Sequence, residues 1–259
     1  VVDGTAGQTN ESEIEVVLGW DKLEQPSPGP TPQPVPTPTP PGLLGGEHIN
    51  VRKIIPHPQF NYVDIYNTPS VTDDLGINDV ALLYLDEASS QETLPYFADR
   101  DDAPLFGPGA ASPIALGWGL TGVGDTDKLL QVKLSLFPAE ICAPDVNLFP
   151  EQTLCVGYEQ GGKLACSGDS GGPLVIPIGP DNRWLQVGVA SFSEKRCADP
   201  NEYTNAQYSG YAKVSEFHDW IVSNLTTICN NVTEIPQSEC QSLMLLYHST
   251  DGLSWTNRN

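Results

Sequence analysis

The segment Cys166-Ser167-Gly168-Asp169-Ser170-Gly171-Gly172-Pro173-Leu174 sets one hydroxyl, that of Ser170, in a run dominated by residues with little side chain. A serine attacks a carbonyl carbon only when a base takes its proton and fixed donors receive the oxyanion that forms. Glycines on both sides leave the loop's backbone N–H groups unobstructed, which is the composition a nucleophile loop requires. At this chain's composition the hexamer Gly168–Pro173 arises by chance in roughly one of 10,000 such sequences, which argues against an ordinary glycine-rich turn.

The segment resembles the nucleophile loop of chymotrypsin-like serine proteases. The resemblance implies that Ser170 is the nucleophile and that the N–H groups of Gly168 and Ser170 form the oxyanion hole. It also implies that Asp169 pairs with an N-terminal amine released by activation cleavage. Ile77-Asn78-Asp79-Val80-Ala81-Leu82-Leu83-Tyr84-Leu85 is the second match, an aspartate heading an apolar strand, and it makes Asp79 the carboxylate that orients the catalytic histidine. A buried aspartate there holds the imidazole tautomer and stabilises the imidazolium that forms during attack. Asp73 and Asp74 read as solvated loop residues.

The base itself has no match. Val1–Gly4 would follow directly on the family's Ala-Ala-His-Cys segment, and no such segment occurs in the sequence. His48 and His57 lie in a strand-forming region, His218 in a terminal helix and His248 beyond it; His57 falls in Ile54-Ile55-Pro56-His57-Pro58, which the family uses structurally. The expectation is a chain that is inactive by itself, its histidine encoded upstream of Val1. By position, Leu164 forms the floor of the substrate pocket, where trypsin-like members carry aspartate. Ser191, Phe192, Ser193 and Ser209 form its walls, bulkier at two places than the usual glycines. The pocket is therefore expected to be apolar and constricted, preferring medium apolar P1 residues over Lys or Arg.

The elements that must position these residues are strands. Glu15–Gly19 and the alternating Ile49–Ile55 read as a pair of strands from the first barrel. Between them, residues 25–41 carry proline at nearly every second position, which removes backbone donors and favours an extended polyproline segment, either a spacer or a ligand for a proline-recognition domain. Residues 87–108 resemble the family's passage between barrels. The second barrel then opens with Ile114–Thr121, whose Gly117-Trp118-Gly119 matches a family signature and is counted as scaffold. Leu129–Leu136 alternates as one strand, Tyr211–Ser215 resembles the last strand, and Glu216–Leu225 has the apolar spacing of the closing helix. The implied fold is all-β: two six-stranded antiparallel barrels and a C-terminal helix, the first barrel incomplete, over residues 1–225. The Cys142/Cys155 and Cys166/Cys197 intervals fit the family's second-barrel disulfides; Cys229 and Cys240 remain as a third candidate pair.

Residues 226–259 read as a linker followed by Ser238–Asn257, which resembles the cap preceding leucine-rich repeats and would bring a protein partner; a tail helix packed on the barrel is the other reading. Twelve Lys and Arg face 33 Asp and Glu, and the net charge of −21 argues against nucleic acid or anionic membrane as partners. The 6 cysteines and the Asn-X-Ser/Thr sites at Asn10, Asn224 and Asn231 suit a secretory, extracellular setting. No metal or organic cofactor is implied. The expected function is a secreted serine endopeptidase acting on protein or peptide through an acyl-enzyme; the alternative is a non-catalytic, protease-like binding module attached to leucine-rich repeats.

Overall fold

The computed structural model describes residues 14–19, 46–64, 74–99, 103–106, 111–121, 124, 126–142, 150–178, 183–193, 197, 207–226 and 235–240. The proline-rich stretch 25–41, and the tail beyond Cys240, lie outside them. Strands β1 (Glu15–Leu18), β2 (Glu47–Pro56) and β5 (Ala81–Leu85) form one antiparallel sheet in the order β1-β2-β5, and β3 (Asn61–Asp64) pairs with β4 (Asp74–Ile77) as a hairpin. β2 shows the two-residue period expected of a half-buried strand: Ile49 and Val51 are buried while His48, Asn50 and Arg52 are exposed.

The second sheet contains β6 (Ile114–Gly117), β7 (Leu130–Lys133), β8 (Ser135–Phe137), β9 (Thr153–Gly157), β10 (Pro173–Ile178), β11 (Arg183–Ser193) and β12 (Tyr208–Lys213), in the order β7-β6-β10-β11-β12-β9-β8. The run 129–136, expected as one strand, is cut at Leu134. That residue is 2% exposed and its N–H donates to Pro113 O at 2.9 Å. β7 pairs with β6 at one end of the sheet and β8 with β9 at the other. One chain bent at Leu134 therefore joins both ends, and the seven paired segments close as a six-stranded barrel. The alternation survives the bend, with Lys133 and Ser135 out and Leu134 in, so the sequence pattern shows no break. Leu134, Val156, Leu174, Ile176 and Tyr211 fill the interior, each large side chain contributing about 1.5–3 kcal/mol by its burial.

After β12 the chain winds through a 3-10 turn, Val214–Phe217, into a helix, His218–Thr226. The expected closing helix thus begins as a tighter turn. Phe217 and Ile221 are buried against Ala212 and Val214, and Val80, Leu82 and Tyr96 pack on that cluster. Tyr84 OH donates to Asn224 O at 2.5 Å, and Tyr96 OH is hydrogen-bonded to His218 Nδ1 at 3.1 Å. These contacts dock the first sheet on the second barrel. Disulfides join Cys142 to Cys155 and Cys166 to Cys197 across 13 and 31 positions. Cys240 is disulfide-bonded, and Cys229 lies outside the described residues.

Candidate active site

The loop carrying Ser170 runs between β9 and β10. Leu164, Ala165 and Cys166 are buried, and Ser170 at its far end is exposed. Two successive turns shape it: Asp169 N–H donates to Cys166 O at 2.9 Å and Gly172 N–H to Asp169 O at 2.8 Å. Gly168 (φ 95°) and Gly171 (φ 80°) lie in the left-handed region that only glycine adopts freely. Strand β11 holds the loop from behind, Gly171 N–H donating to Ala190 O at 2.8 Å and Ala190 N–H to Gly172 O at 2.9 Å. Neither the Gly168 nor the Ser170 amide donates to another described residue, so both donors expected to receive an oxyanion are available.

Asp169 points away from Ser170. Its Oδ1 accepts from Gly119 N–H at 2.8 Å and its Oδ2 from Cys166 N–H at 2.9 Å. A Cβ on Gly117 or on Gly119 would fall on the carboxylate. The Gly117-Trp118-Gly119 signature, read from sequence as scaffold, is therefore the cradle of Asp169 and shapes the nucleophile loop through it. The two glycines around one tryptophan were the available signal; their partner was not visible without the fold. A cleft lined by Leu120, Gln131, Lys163 and Leu164 opens beside Asp169.

Asp79 sits in the turn between β4 and β5. Its Oδ2 accepts from Ser191 Oγ–H at 2.7 Å. Burial pushes its carboxyl above the ordinary range, and the Ser191 bond pulls the other way. Ser191, expected on the pocket wall, directs its hydroxyl at Asp79. Ser191 follows Ala190 in β11, so two consecutive residues of one strand hold the nucleophile loop and the aspartate. A cleft beside Asp79 is lined by Asn78, Gln152, Ser191, Phe192, Tyr211 and Phe217.

Leu164 is 8% exposed and packs with Cys166, Cys197 and Leu120. Ser193 Oγ–H donates to Ala165 O at 2.6 Å; Ser209 Oγ, fully buried, lies 3.0 Å from Ser193 Oγ and 3.2 Å from the same carbonyl. The Phe192 ring occupies the space a Cβ on Gly210 would need. Two hydroxyls and a ring thus converge on the region expected to take the P1 side chain.

The histidines are placed elsewhere. His57 meets Phe217 edge-on and Trp220 at a tilt, with ring centroids 5.4 and 5.0 Å away, and its Nδ1 accepts from Gln59 N–H at 3.3 Å; burial lowers its pKa. His48 Nδ1 lies 3.0 Å from Glu15 Oε1, and His218 meets Tyr96. None of these bonds to Asp79, and His248 lies outside the described residues. Of the sequons, Asn224 lies in the helix His218–Thr226 with Nδ2 donating to Trp220 O at 2.8 Å, while Asn10 and Asn231 lie outside the described residues.

Among known families, residues 43–221 match the trypsin family. The chain is similar to trypsin eta of Drosophila melanogaster, 34% identical over 192 residues that make up 72% of this chain and 64% of that protein. It is also similar to kallikrein-1 of Mus musculus, 36% identical over 183 residues, 68% of this chain and 64% of that one. To the proclotting enzyme of Tachypleus tridentatus it is 33% identical over 163 residues, 58% and 40% of the two chains. The chain thus spans under two thirds of the length of these relatives.

Proposed function

Because this chain belongs to the trypsin family of serine proteases, we propose that it is part of a secreted serine endopeptidase in which Ser170 attacks the peptide carbonyl. The observation that carries this reading is the pair Ala190 and Ser191: one strand fixes the loop of an exposed hydroxyl and, at the next residue, binds a half-buried carboxylate. In the proposed mechanism an imidazole held by Asp79 takes the Ser170 proton, and the Gly168 and Ser170 amides receive the oxyanion. The same imidazole protonates the leaving amine, and then activates the water that hydrolyses the acyl-enzyme. Asp79 stays ionised, fixing the tautomer and stabilising the imidazolium. The described histidines do not meet Asp79, so the proposed base is a histidine encoded upstream of Val1, and the chain by itself is inactive.

The pocket supports a preference for apolar P1 residues. Leu164 offers no counter-charge to Lys or Arg, and Phe192, Ser193 and Ser209 narrow the space. Paired cysteines and the sequons Asn10, Asn224 and Asn231 support an extracellular setting. The tail beyond Cys240 is proposed to begin a leucine-rich-repeat cap, through which the enzyme would meet a protein partner.

Labelling of the natural full-length protein with a fluorophosphonate, using Ser170→Ala as control, tests the reading; labelling confined to Ser170 is the expected result. One observation favours a second reading, a binding module with a decayed site: no described imidazole accompanies Asp79. The residues encoded just upstream of Val1 separate the two. A histidine followed by cysteine supports the enzyme, and any other residue there supports the module.

A further inference from the structure

Asn78 is the one non-glycine residue among those described with a positive φ, 52°. An L residue persists in that region only where its surroundings hold it there, and asparagine tolerates it because its short amide can bond locally. Asn78 Nδ2 donates to Gln59 O at 3.0 Å, and Asn78 O accepts from Val80 N–H at 2.9 Å, closing a tight turn centred on Asp79. Gln59 belongs to a turn that is itself fixed. Phe60 N–H donates to His57 O at 2.9 Å, and His57 N–H to Val80 O at 3.0 Å, while the His57 ring rests on Phe217 and Trp220. The residues on both sides of Asp79 are thus bound to one short turn, Asn78 through Gln59 and Val80 through His57. Gly76 leaves room for the carboxylate, since a Cβ there would lie 2.8 Å from Asp79 Oδ2.

We propose that Asn78 is a positioning residue for Asp79: its left-handed backbone and its amide bond to Gln59 aim the carboxylate at Ser191 and at the imidazole that approaches it. The second half of that aim rests on the protease reading; the first half does not. If Asn78 lets go, the carboxylate swings toward water and leaves Ser191.

The test follows the carboxyl of Asp79 by ¹³C NMR titration in this chain, and fluorophosphonate labelling of Ser170 in the full-length protein. Asn78→Ala removes both the tolerated backbone and the amide; Asn78→Gly keeps the backbone and removes only the amide; Ser191→Ala is the control. Tyr211, which lines the same cleft, and His57, which bonds Val80 through its backbone, are left intact. With Asn78→Ala the Asp79 pKa falls toward the ordinary carboxylate value as burial is relieved, with Asn78→Gly it falls less, and with Ser191→Ala it rises. Labelling of Asn78→Ala slows by roughly 10²-fold, as misplacement of a catalytic group by about 1 Å costs. A lower melting temperature with an unchanged Asp79 titration in both Asn78 variants overturns the proposal, since a merely structural residue behaves that way. Should Asn78→Ala fail to fold, Asn78→Gly alone decides in the same sense. If the wild-type protein does not label at all, the protease reading fails while the titration still decides the positioning role.

Discussion

The Ser191 hydroxyl donates to Asp79 Oδ2 at 2.7 Å, and this bond crosses from the second barrel to the turn that leads into β5. It satisfies one carboxylate oxygen in a half-buried site where an unpartnered charge would be costly. The bond is not strong enough to cancel the effect of burial, which leaves the carboxyl above its ordinary value of 3.8. The folded protein therefore holds this proton more tightly than the unfolded chain does. Its stabilising effect is complete below the unfolded pKa and is lost as pH rises through the raised folded one.

Asp79→Asn removes that titration while keeping an oxygen for Ser191. The melting temperature of the wild type should fall relative to the variant as pH climbs from the ordinary carboxylate range toward neutrality. Activity of the full-length variant should drop by about 10⁴, the cost of this substitution in the chymotrypsin-type triad. Thermal melts across that range, with turnover at neutral pH, check both; parallel melting curves would show that Asp79 is not held above its ordinary value.

Gly119→Ala puts a methyl group where the Asp169 carboxylate lies. Overpacking of this kind costs about 1–3 kcal/mol, and the Gly119 N–H bond that holds Oδ1 is strained with it. Because Asp169 lies between Gly168 and Ser170, displacing it moves both amides proposed to receive the oxyanion. Labelling of Ser170 should fall by roughly 10²–10³-fold, the range seen when an oxyanion donor is lost. A variant that labels like wild type would detach the Gly117–Gly119 turn from the site.

Much of this architecture could be read from residue order. The strand pair at Glu15–Leu18 and Glu47–Pro56 was legible because β-branched residues alternate there, and the Ser170 loop because few other residue types can build it. The bend at Leu134 was not legible, since the inward–outward alternation runs through it unbroken. Nor was the destination of the Ser191 hydroxyl, 112 positions from Asp79: a serine between alanine and phenylalanine carries no local sign of a partner in another sheet. The cradle of Asp169 was hidden for the same reason. Glycines report that space is needed, but not what fills it.

Ser193 and Ser209 meet at the carbonyl of Ala165, and replacing both by glycine should open the proposed P1 region without adding charge. Each added methylene that a pocket accommodates is worth about 1–3 kcal/mol, or 10–200-fold. On the proposed reading, the double variant of the full-length protein should gain kcat/KM on substrates with large apolar P1 residues by at least the lower figure, and gain nothing on arginine. A profile of P1-varied peptides reads this directly, and an unchanged profile would remove both serines from the pocket walls.

His57→Phe separates a structural histidine from a catalytic one. Burial lowers the His57 pKa from 6.5, so the unfolded chain binds that proton better than the folded one. The stability tied to the neutral ring is present above 6.5 and is lost as pH falls through the lowered value. Phenylalanine keeps a ring against Phe217 and Trp220 and cannot titrate; the Gln59 N–H that loses its acceptor is exposed and turns to water at little cost. Between pH 6.5 and the acid limb of the melting curve the wild type should therefore lose stability relative to the variant. Labelling of Ser170 in the full-length protein should stay within about 2-fold of wild type, since His57 braces Asp79 through its backbone alone and removing a triad member costs orders of magnitude more. Loss of labelling in a folded variant would make His57 the base and overturn the assignment of that role to a histidine upstream of Val1.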